Sequence, residues 1–245
     1  MASDKRLTTA LLLAAGTGSR LQPLTLDAPK CLTEVGGKTI LGRLLDNLRA
    51  QQIERLVVVT GHLEHCIREY LDEYATDIKV EYVFNRLYKT TNNIYSLWLA
   101  KELIEEQFIL LESDLVFEES MLSDLMIPDK IAVSRILPWM NGTTVKIDSK
   151  SIVSKIHVKE KVEDVDQYKT VNICSLSSHS WNNVVSYLKD YIENGDVNEY
   201  YESAFSKMVA DGVLKFGATI FDENRWYEID NIDDLANAEM MFPRD

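Results

Sequence analysis

A glycine loop with a cation at its end follows the first apolar run of the chain, in LLLAAGTGSR at residues 11–20. A strand that leads into such a loop places successive backbone N–H groups at the carboxyl edge of a sheet, where open α/β folds bind ligands. Glycine adopts positive φ freely and lets an anion approach the backbone closely. The loop alone leaves two interpretations open, a phosphate-binding loop and a tight turn after a buried strand.

The loop differs from the two common nucleotide-binding glycine motifs. The Walker motif requires Gly-Lys-Ser/Thr after four intervening residues, and the dinucleotide fingerprint requires a third glycine near the position of Leu21. Two nearby cations, Arg20 and Lys30, favour the phosphate interpretation in so acidic a chain. A guanidinium binds two phosphate oxygens at once, and an ammonium offers a point charge. A pair of solvated surface bases is the alternative.

Two aspartates end apolar runs that are typical of strands. Asp114 ends FILLESD, and Asp230 ends WYEID. Both are expected at the carboxyl edge of the sheet, and Mg²⁺ often binds one or two carboxylates together with phosphate oxygens and waters. For Asp114 a strand-ending turn residue is the alternative. Glu112 is set aside as a ligand because of strand alternation, and Asp233 because it is typical of the first turn of a helix.

The charge and the cysteines argue against several classes of function. The chain has 39 acidic and 26 basic residues and a formal net charge of -13. Binding to nucleic acid is not expected, because phosphate backbones are bound chiefly by clusters of Lys and Arg. Cys31, Cys66 and Cys174 are odd in number and widely spaced, which predicts neither a disulfide framework nor a zinc ribbon. Cys31 is expected to be a passive packing residue.

The first residues imitate a secretory signal, because Lys5 and Arg6 precede LTTALLLAA. This interpretation is rejected, since the apolar run is short, contains Thr8 and Thr9, and continues at once into GTGSRLQPLT. No later stretch approaches the ~18 apolar residues of a membrane span. We therefore expect a soluble protein without membrane contact, located in the reducing cytoplasm.

Apolar runs rich in β-branched residues alternate with helical spacing through the first half of the chain. ILGRLLDNLRAQQI and IYSLWLAKELIEE repeat apolar residues at intervals of three and four, which predicts amphipathic helices. Such alternation predicts a mainly parallel sheet covered on both faces. Strands are predicted between the helices at 56–61, 79–85, 108–114 and 130–136.

The second half changes character after about residue 138. TTVKID, SIVSKIHVK and YKTVNICSLS predict short strands without helices between them, and two helices then end at Gly195 and Gly212. Two more strands and a helix, NIDDLANAEMMF, close the chain. No repeat or flexible linker interrupts it. The prediction is a single α/β domain over residues 1–245, with a small β and helical insertion at about 138–212 that binds an acceptor.

The motifs LAAGTGSRL, PLT, PKCLTEV and GGKTI together resemble the signature of nucleotidyltransferases that make nucleotide-activated sugars and alcohols. VFNRLYKTTNNIYSLWLA, ESDLVFE and RWYEIDNIDDLANAE are more similar to the phosphocholine cytidylyltransferase branch than to the sugar-1-phosphate branch. The resemblance runs from about residue 11 to 239 and is weakest between 138 and 168. It implies a Rossmann-like α/β domain that joins a nucleoside triphosphate to a phosphorylated alcohol and releases pyrophosphate.

The resemblance also implies roles for individual residues. Arg20 would hold the triphosphate, Lys30 would stabilise the pentacovalent α-phosphorus, and Asp114 and Asp230 would bind Mg²⁺. No protein nucleophile is then needed, because catalysis consists of positioning and charge neutralisation. The residues expected on the nucleotide side are Leu13, Ala14, Ala15, Gly16, Thr17, Gly18, Asn92, Asn93 and Ser96.

The acceptor side of the site is less well defined by the sequence. Aromatic faces and a carboxylate bind a choline-like cation, although core packing is the alternative role for each aromatic residue. Lys146 and Lys169 are candidates to bind an acceptor phosphate, and Asn172 an amine or a hydroxyl. The residues predicted to bind the acceptor are Trp139, Lys146, Asn172, Tyr201, Glu202, Trp226 and Glu228.

These patterns together predict a Mg²⁺-dependent cytidylyltransferase. It would transfer CMP from CTP to a phosphorylated amino-alcohol of the phosphocholine or phosphoethanolamine type, forming a CDP-alcohol and pyrophosphate. Three alternatives stay open: a 2-aminoethylphosphonate cytidylyltransferase, a sugar-1-phosphate nucleotidylyltransferase and a nucleotide-binding regulator without turnover. The preference for CTP over UTP rests on the resemblance, and the residues leave the acceptor's methylation and the oligomeric state open.

Overall fold

A computed structural model of the chain describes residues 6–137, 140–158 and 167–244. Its α-helices are α1 (Ile40–Ala50), α2 (Glu64–Tyr74), α3 (Asn93–Leu99), α4 (Ser178–Glu193), α5 (Tyr201–Ala210) and α6 (Ile232–Met241). Short 3₁₀ helices cover Ser19–Leu21, Lys30–Leu32, Ala100–Glu102 and Glu119–Leu125. The strands are β1 (Thr9–Ala14), β2 (Glu34–Val35), β3 (Lys38–Thr39), β4 (Arg55–Thr60), β5 (Lys79–Phe84), β6 (Phe108–Glu112), β7 (Leu115–Phe117), β8 (Lys130–Arg135), β9 (Thr144–Ile147), β10 (Val153–His157), β11 (Gln167–Leu176), β12 (Gly217–Phe221) and β13 (Trp226–Glu228).

A large mixed sheet forms the centre of the domain. Its strands lie in the order β10-β9-β11-β6-β1-β4-β5, and β8 joins β12 to β11. β1 pairs in parallel with β4 and β6, and β4 pairs in parallel with β5. β11 runs antiparallel to β6, β8 and β9. The prediction of a single α/β domain with a mainly parallel mixed sheet and flanking helices is confirmed.

Strand β1 is buried along its whole length, which explains why its sequence is almost continuously apolar. Its side chains alternate between the two faces of the sheet. Leu12 packs in the cluster that contains Leu41 of α1, and Leu11 packs in the cluster that contains Trp181 of α4. The run that imitates a secretory signal is therefore the central strand of the sheet.

The two helices predicted in the first half differ in how far they extend. The apolar residues of α1 are buried as predicted, and Thr39 begins the helix because its Oγ1 accepts from the N–H of Gly42 at 3.0 Å. α3 ends earlier than its spacing predicts, and the chain continues as a 3₁₀ turn at Ala100–Glu102. The carbonyl of Ile104 then accepts from Nε1 of Trp181 at 2.9 Å, so this carbonyl is paired outside the helix.

The strands of the second half extend the central sheet. β9 and β10 continue it beyond β11, while α4 and α5 contribute to the core on the face that α3 also covers. The two helices are followed by Gly195 at φ 81° and Gly212 at φ 72°, as the sequence predicts. Residues 140–158 and 167–212 thus share the sheet and the core of the rest of the domain.

A short antiparallel pair, β7 with β13, joins two segments that are far apart in sequence. Beyond the pair, the backbone N–H of Ile229 donates to the carbonyl of Asp114 at 2.9 Å. This pairing places Asp230 beside Asp114. Among the described residues, no helix has the length and apolar character needed to cross a membrane.

Candidate active site

A cavity of about 470 Å³ opens at the carboxyl edge of the parallel strands. The glycine loop after β1, the beginning of α3 and the ends of β6, β11 and β13 form its walls. This is where ligands of open α/β sheets bind. The residues predicted for the site that line this cavity are Leu13, Ala15, Gly16, Thr17, Gly18, Arg20, Lys30, Asn92, Asn93, Ser96, Asp114, Asn172, Glu202, Glu228 and Asp230.

Four of the described residues that were predicted for the site lie away from the cavity, namely Ala14, Lys146, Trp226 and Tyr201. Ala14 belongs to β1 and packs in the core. Trp226 is only 1% exposed, because β13 pairs it with Phe117 in the core, so the prediction that it binds the acceptor is wrong. Lys146 lies on β9 and is not part of the cavity wall. Trp139 lies outside the described residues.

Of the two tyrosines at the start of α5, the one predicted to bind the acceptor does not line the cavity. Tyr201 packs against Phe205 with ring centroids 5.1 Å apart and is 3% exposed, so it does not line the main cavity. Tyr200 lines it instead. Helix spacing alone does not decide which of two adjacent aromatic residues faces the core, because the helix begins between them.

The glycine loop is held by close contacts on both sides. Gly18 has φ 63°, and its carbonyl accepts from Oγ1 of Thr25 at 2.8 Å. A Cβ at Gly18 would lie 3.0 Å from Cγ2 of Thr25 and 3.2 Å from Cβ of Lys30. A Cβ at Gly61 would lie 2.6 Å from the carbonyl of Ala15, which accepts from the next backbone N–H. Glycine is therefore required where the loop meets its neighbours.

Lys30 lies between the two aspartates that the sequence singles out. Its Nζ is 2.8 Å from Oδ2 of Asp114 and 3.0 Å from Oδ1 of Asp230, and its side chain is 13% exposed. Burial lowers the pKa of Lys30, but the two carboxylates outweigh burial and raise it. Arg20 is more exposed, and its Nη2 is 2.7 Å from the same oxygen of Asp230.

The ionisation of the neighbouring groups follows from these contacts. Burial raises the pKa of Asp230, but Lys30 and Arg20 outweigh burial and hold that pKa below its ordinary value. Cys31 is buried beside Lys30, and burial raises the pKa of its thiol to about 12. The thiol is therefore protonated at neutral pH, which agrees with the prediction that Cys31 packs passively.

Asp114 and Asp230 fit a divalent cation that takes its other ligands from phosphate and water. Among the residues that the structure describes, no group of three or more His, Cys, Asp or Glu side chains is arranged to hold a metal ion. Two carboxylates suffice for Mg²⁺, which usually keeps several waters. Oδ1 of Asp114 is buried and has no hydrogen-bond partner among the described residues, so it is free to bind a cation.

Carboxylates from three elements line the inner end of the cavity. Glu112 ends β6, Glu202 lies in the first turn of α5, and Glu228 ends β13. Lys169 of β11 lies among them, with Nζ 3.2 Å from Oε2 of Glu228. Burial raises the pKa of Glu112 and of Glu228, and it raises the pKa of Glu202 to about 7.

A bulge in β11 orients one side of this inner end. The register of β11 against β8 shifts between Thr170 and Cys174, and Asn172 within the shift has φ 58°. Nδ2 of Asn172 donates to Oε1 of Glu228 at 3.1 Å, and its Oδ1 accepts from Oγ1 of Thr170 at 3.0 Å. Asn tolerates this left-handed conformation better than most residues.

Asn93 connects the beginning of α3 to the inner end of the cavity. Its Nδ2 donates to Oε1 of Glu112 at 3.0 Å, and its Oδ1 accepts from the N–H of Tyr201 at 3.0 Å. The sequence analysis missed Glu112, which strand alternation set aside as a metal ligand. A signal was available, because an acid that ends a fully apolar strand faces the same sheet edge as the aspartate two residues later.

An anion-binding glycine loop beside paired carboxylates at the carboxyl edge of an α/β sheet is typical of nucleotide-handling enzymes. Residues 9–244 match the family model described as nucleotidyl transferase. The chain therefore belongs to the nucleotidyl transferase family, whose members are nucleotidyltransferase enzymes.

Two curated relatives and a solved structure are similar along nearly the whole chain. The CMP-5'-(3-aminopropyl)phosphonate synthase of Streptomyces rubellomurinus is 31% identical over 241 residues, which are 95% of this chain and 38% of that protein. The choline-phosphate cytidylyltransferase of Streptococcus pneumoniae is 25% identical over 232 residues, 94% of this chain and 96% of that protein. The structure of the CTP:phosphocholine cytidylyltransferase from Streptococcus pneumoniae superposes with a TM-score of 0.84 at 22% identity, covering 97% of this chain and 100% of that one.

Proposed function

We propose that this protein transfers CMP from CTP to a small molecule that carries a phosphate or a phosphonate at one end and an amine at the other. The products are a CDP-linked amino-alcohol, or its phosphonate counterpart, and pyrophosphate. One observation carries the proposal: a single cavity has cations and loop amides at one end and buried carboxylates at the other. This charge distribution complements a triphosphate followed by a zwitterionic acceptor.

The glycine loop is the proposed triphosphate site. Backbone N–H groups of Gly16, Thr17 and Gly18 line the cavity mouth, where they can donate to phosphate oxygens. Arg20 is exposed enough to turn from Asp230 towards a phosphate and bind two of its oxygens. Asn92, Asn93 and Ser96 line the wall that we assign to the base and the ribose.

In the proposed reaction an oxygen of the acceptor phosphate or phosphonate attacks the α-phosphorus of CTP in line. A new P–O bond forms, the bond from the α-phosphorus to the bridging oxygen breaks, and its electron pair leaves with pyrophosphate. Lys30 neutralises the charge that develops on the α-phosphoryl oxygens. Asp114 and Asp230 would hold a divalent cation, which supplies further charge neutralisation when it is bound.

The similar proteins support both proposed classes of acceptor, the amine-bearing phosphate and the amine-bearing phosphonate. One is a CMP-5'-(3-aminopropyl)phosphonate synthase, and the other is a choline-phosphate cytidylyltransferase. Each of these acceptors joins a nitrogen cation to a phosphorus anion. The proposal includes a cytoplasmic location, which agrees with the three free cysteines of the chain.

Pyrophosphate release tests the proposal. The enzyme is incubated with each of the four nucleoside triphosphates against phosphoethanolamine, phosphocholine, 2-aminoethylphosphonate and glucose-1-phosphate, with and without Mg²⁺. We expect release with CTP, with Mg²⁺ and with an amine-bearing acceptor. Turnover with glucose-1-phosphate alone would establish a sugar nucleotidylyltransferase, and no release with any pair would favour a nucleotide-binding regulator.

A further inference from the structure

Glu202 presents an unsatisfied carboxylate oxygen at the inner end of the cavity. The residue is 9% exposed and lines the cavity wall, yet its Oε2 is buried and has no hydrogen-bond partner among the described residues. Leaving a buried acceptor unpaired is costly, and more so when it is charged. A donor that arrives with the ligand would remove this cost.

Among the described residues no neighbouring group donates to Oε2 of Glu202, although a hydrogen bond from Asn93 to the same carboxyl group lowers its pKa. Lys169 donates to the carbonyl of Thr170 at 2.7 Å and lies 3.2 Å from Oε2 of Glu228, while Asn172 donates to the other oxygen of Glu228. Asn93 donates to Glu112. Among the described residues, the inner end thus holds the carboxyl groups of Glu112, Glu202 and Glu228 and one ammonium group, that of Lys169.

A buried water is an unsuitable partner for Oε2 of Glu202 on the side that faces away from the main cavity. The space there is a separate cavity of about 10 Å³. Thr143, Thr170 and Asn172 line it together with Ile131, Ile156, Ile173 and Phe205, but the surface that faces the space is almost wholly apolar. A water needs about this volume as a minimum, and two or more polar partners. The missing donor is therefore expected to come from the main cavity, where the acceptor enters.

We infer that the acceptor amine is a primary ammonium group, which donates its N–H groups to Oε2 of Glu202 and to the adjacent carboxylates. This inference rests on the proposed function and specifies its substrate class. A quaternary ammonium has no N–H group, so it would bury Glu202 without a donor and add three methyl groups to the same space.

The aromatic residues of the cavity support the same distinction. Quaternary ammonium groups bind in cages of aromatic faces. Trp226 and Tyr201 are 1% and 3% exposed and pack in the core. Tyr88 and Tyr200 line the cavity, but contact with a ring face supplies no donor for Glu202. Among the described residues, carboxylate acceptors are thus the chemistry that this end of the cavity offers to an amine.

A graded acceptor series tests the inference. Phosphoethanolamine, its N-methyl and N,N-dimethyl derivatives and phosphocholine share one anionic end and carry three, two, one and no N–H donors. We expect kcat/KM to fall along the series, by about 100-fold or more from the first to the last, because a site built for hydrogen bonds rejects analogues that lack them. The KM for CTP serves as the internal control.

Variants of Glu202 connect this selectivity to the residue. Glu202→Gln is expected to raise the KM for phosphoethanolamine and to reduce the ratio of kcat/KM with phosphoethanolamine to kcat/KM with phosphocholine. The KM for CTP should stay unchanged. Glu202→Asp should keep more of this kcat/KM ratio than Glu202→Gln does. Glu239→Gln, at an exposed position of α6, is the matched control and should behave as the wild type.

The outcomes separate this inference from the proposed function. Equal or better kcat/KM with phosphocholine overturns the inference and leaves the cytidylyltransferase proposal standing. No turnover with any member of the series or with 2-aminoethylphosphonate overturns both. The series on the wild-type enzyme decides between these results even if the Glu202 variants do not fold.

Discussion

The ammonium of Lys30 occupies the position between Asp114 and Asp230 that a divalent cation would need. A metal ion bound to these two carboxylates would therefore share them with the ammonium in the absence of nucleotide. We predict that Lys30→Met raises the affinity of the nucleotide-free protein for Mn²⁺ by about tenfold or more, because a positive charge within about 4 Å is removed. Titration followed by electron paramagnetic resonance measures this affinity.

The control for this prediction is Lys38→Met. Lys38 also pairs with an aspartate, Asp46, but it does not line the cavity, so its loss should leave Mn²⁺ binding unchanged. Weaker or unaltered Mn²⁺ binding by Lys30→Met would mean that Lys30 and the metal do not share these ligands.

Asp114 carries the metal assignment most directly. Asp114→Ala removes the buried oxygen that lacks a partner and one contact of Lys30. We predict that pyrophosphate release falls by about 100-fold or more while the protein remains folded, since a preorganised charge interaction is lost. Asp124→Ala, at an exposed position, is the control. Unchanged turnover of Asp114→Ala in Mg²⁺ would contradict the metal assignment.

Glu202 links acceptor binding to a stability cost that depends on pH. Burial raises the pKa of its folded carboxyl to about 7, against an ordinary value of 4.5. Between these values the folded protein binds a proton that the unfolded chain has released, so the free energy of unfolding falls as pH rises through this window. Glu112, Lys169 and Glu228 are the charged groups that face it across the inner end of the cavity.

We therefore predict that Glu202→Gln is more stable than the wild type at pH 8, by up to an amount on the order of 3 kcal/mol. The difference should shrink as pH falls towards 4.5, where both side chains are neutral. Urea unfolding at several pH values measures it, with Glu239→Gln as the control. Equal free energies of unfolding for Glu202→Gln and wild type at pH 8 would contradict a cost of ionising the buried carboxyl of Glu202.

Among the structural elements, the glycine loop after β1 makes the most specific demand on its residues. Gly18→Ala places a Cβ at positive φ and within 3.2 Å of Lys30, whereas a Cβ at Gly16 meets nothing within 4 Å. We predict that Gly18→Ala lowers the free energy of unfolding by about 1–3 kcal/mol and that Gly16→Ala leaves it nearly unchanged. Thermal unfolding of both variants decides this, and equal Tm values would contradict the account.

The elements that the sequence predicts well are those with a repeating local pattern. α1 follows its apolar spacing residue by residue, and β1 follows its continuous apolar run. β7 and β13 are three residues long, and they exist because they pair with each other across more than a hundred positions. The bulge at Asn172 likewise depends on the partner strands of β11. No local pattern encodes such pairings.

At the scale of the whole molecule, the nucleotide end of the site follows from local sequence patterns, whereas the acceptor end depends on contacts that form on folding. The nucleotide end is predictable, because Gly16, Gly18, Arg20 and Lys30 lie in one continuous segment with recognisable motifs. At the acceptor end, Glu112 meets side chains of other elements only after folding, so it is not in the predicted set, and Lys169 is predicted only as a candidate to bind a phosphate. Trp226 was predicted to bind the acceptor but lies in the core, since its burial against Phe117 depends on the β7–β13 pair.

The charges of the molecule as a whole agree with a small-molecule enzyme. The net charge of -13 is concentrated neither in a tail nor in a repeat, and two cations, Arg20 and Lys30, line the cavity beside Asp230. The domain thus brings the proposed triphosphate loop and the proposed amine-binding end onto one sheet edge. We propose that the triphosphate end and the amine end of the cavity act together in one transfer reaction.

Phosphorus NMR of a single reaction mixture tests this claim most directly. The enzyme is incubated with CTP, Mg²⁺ and phosphoethanolamine, with the aminoethylphosphonate as a parallel sample. We predict the signals of a pyrophosphate-bridged CDP-ethanolamine, or of the mixed CMP-phosphonate anhydride, together with free pyrophosphate in equal amount. CTP that remains intact in both samples, or that is only hydrolysed to CMP or CDP without a linked product, would contradict the account.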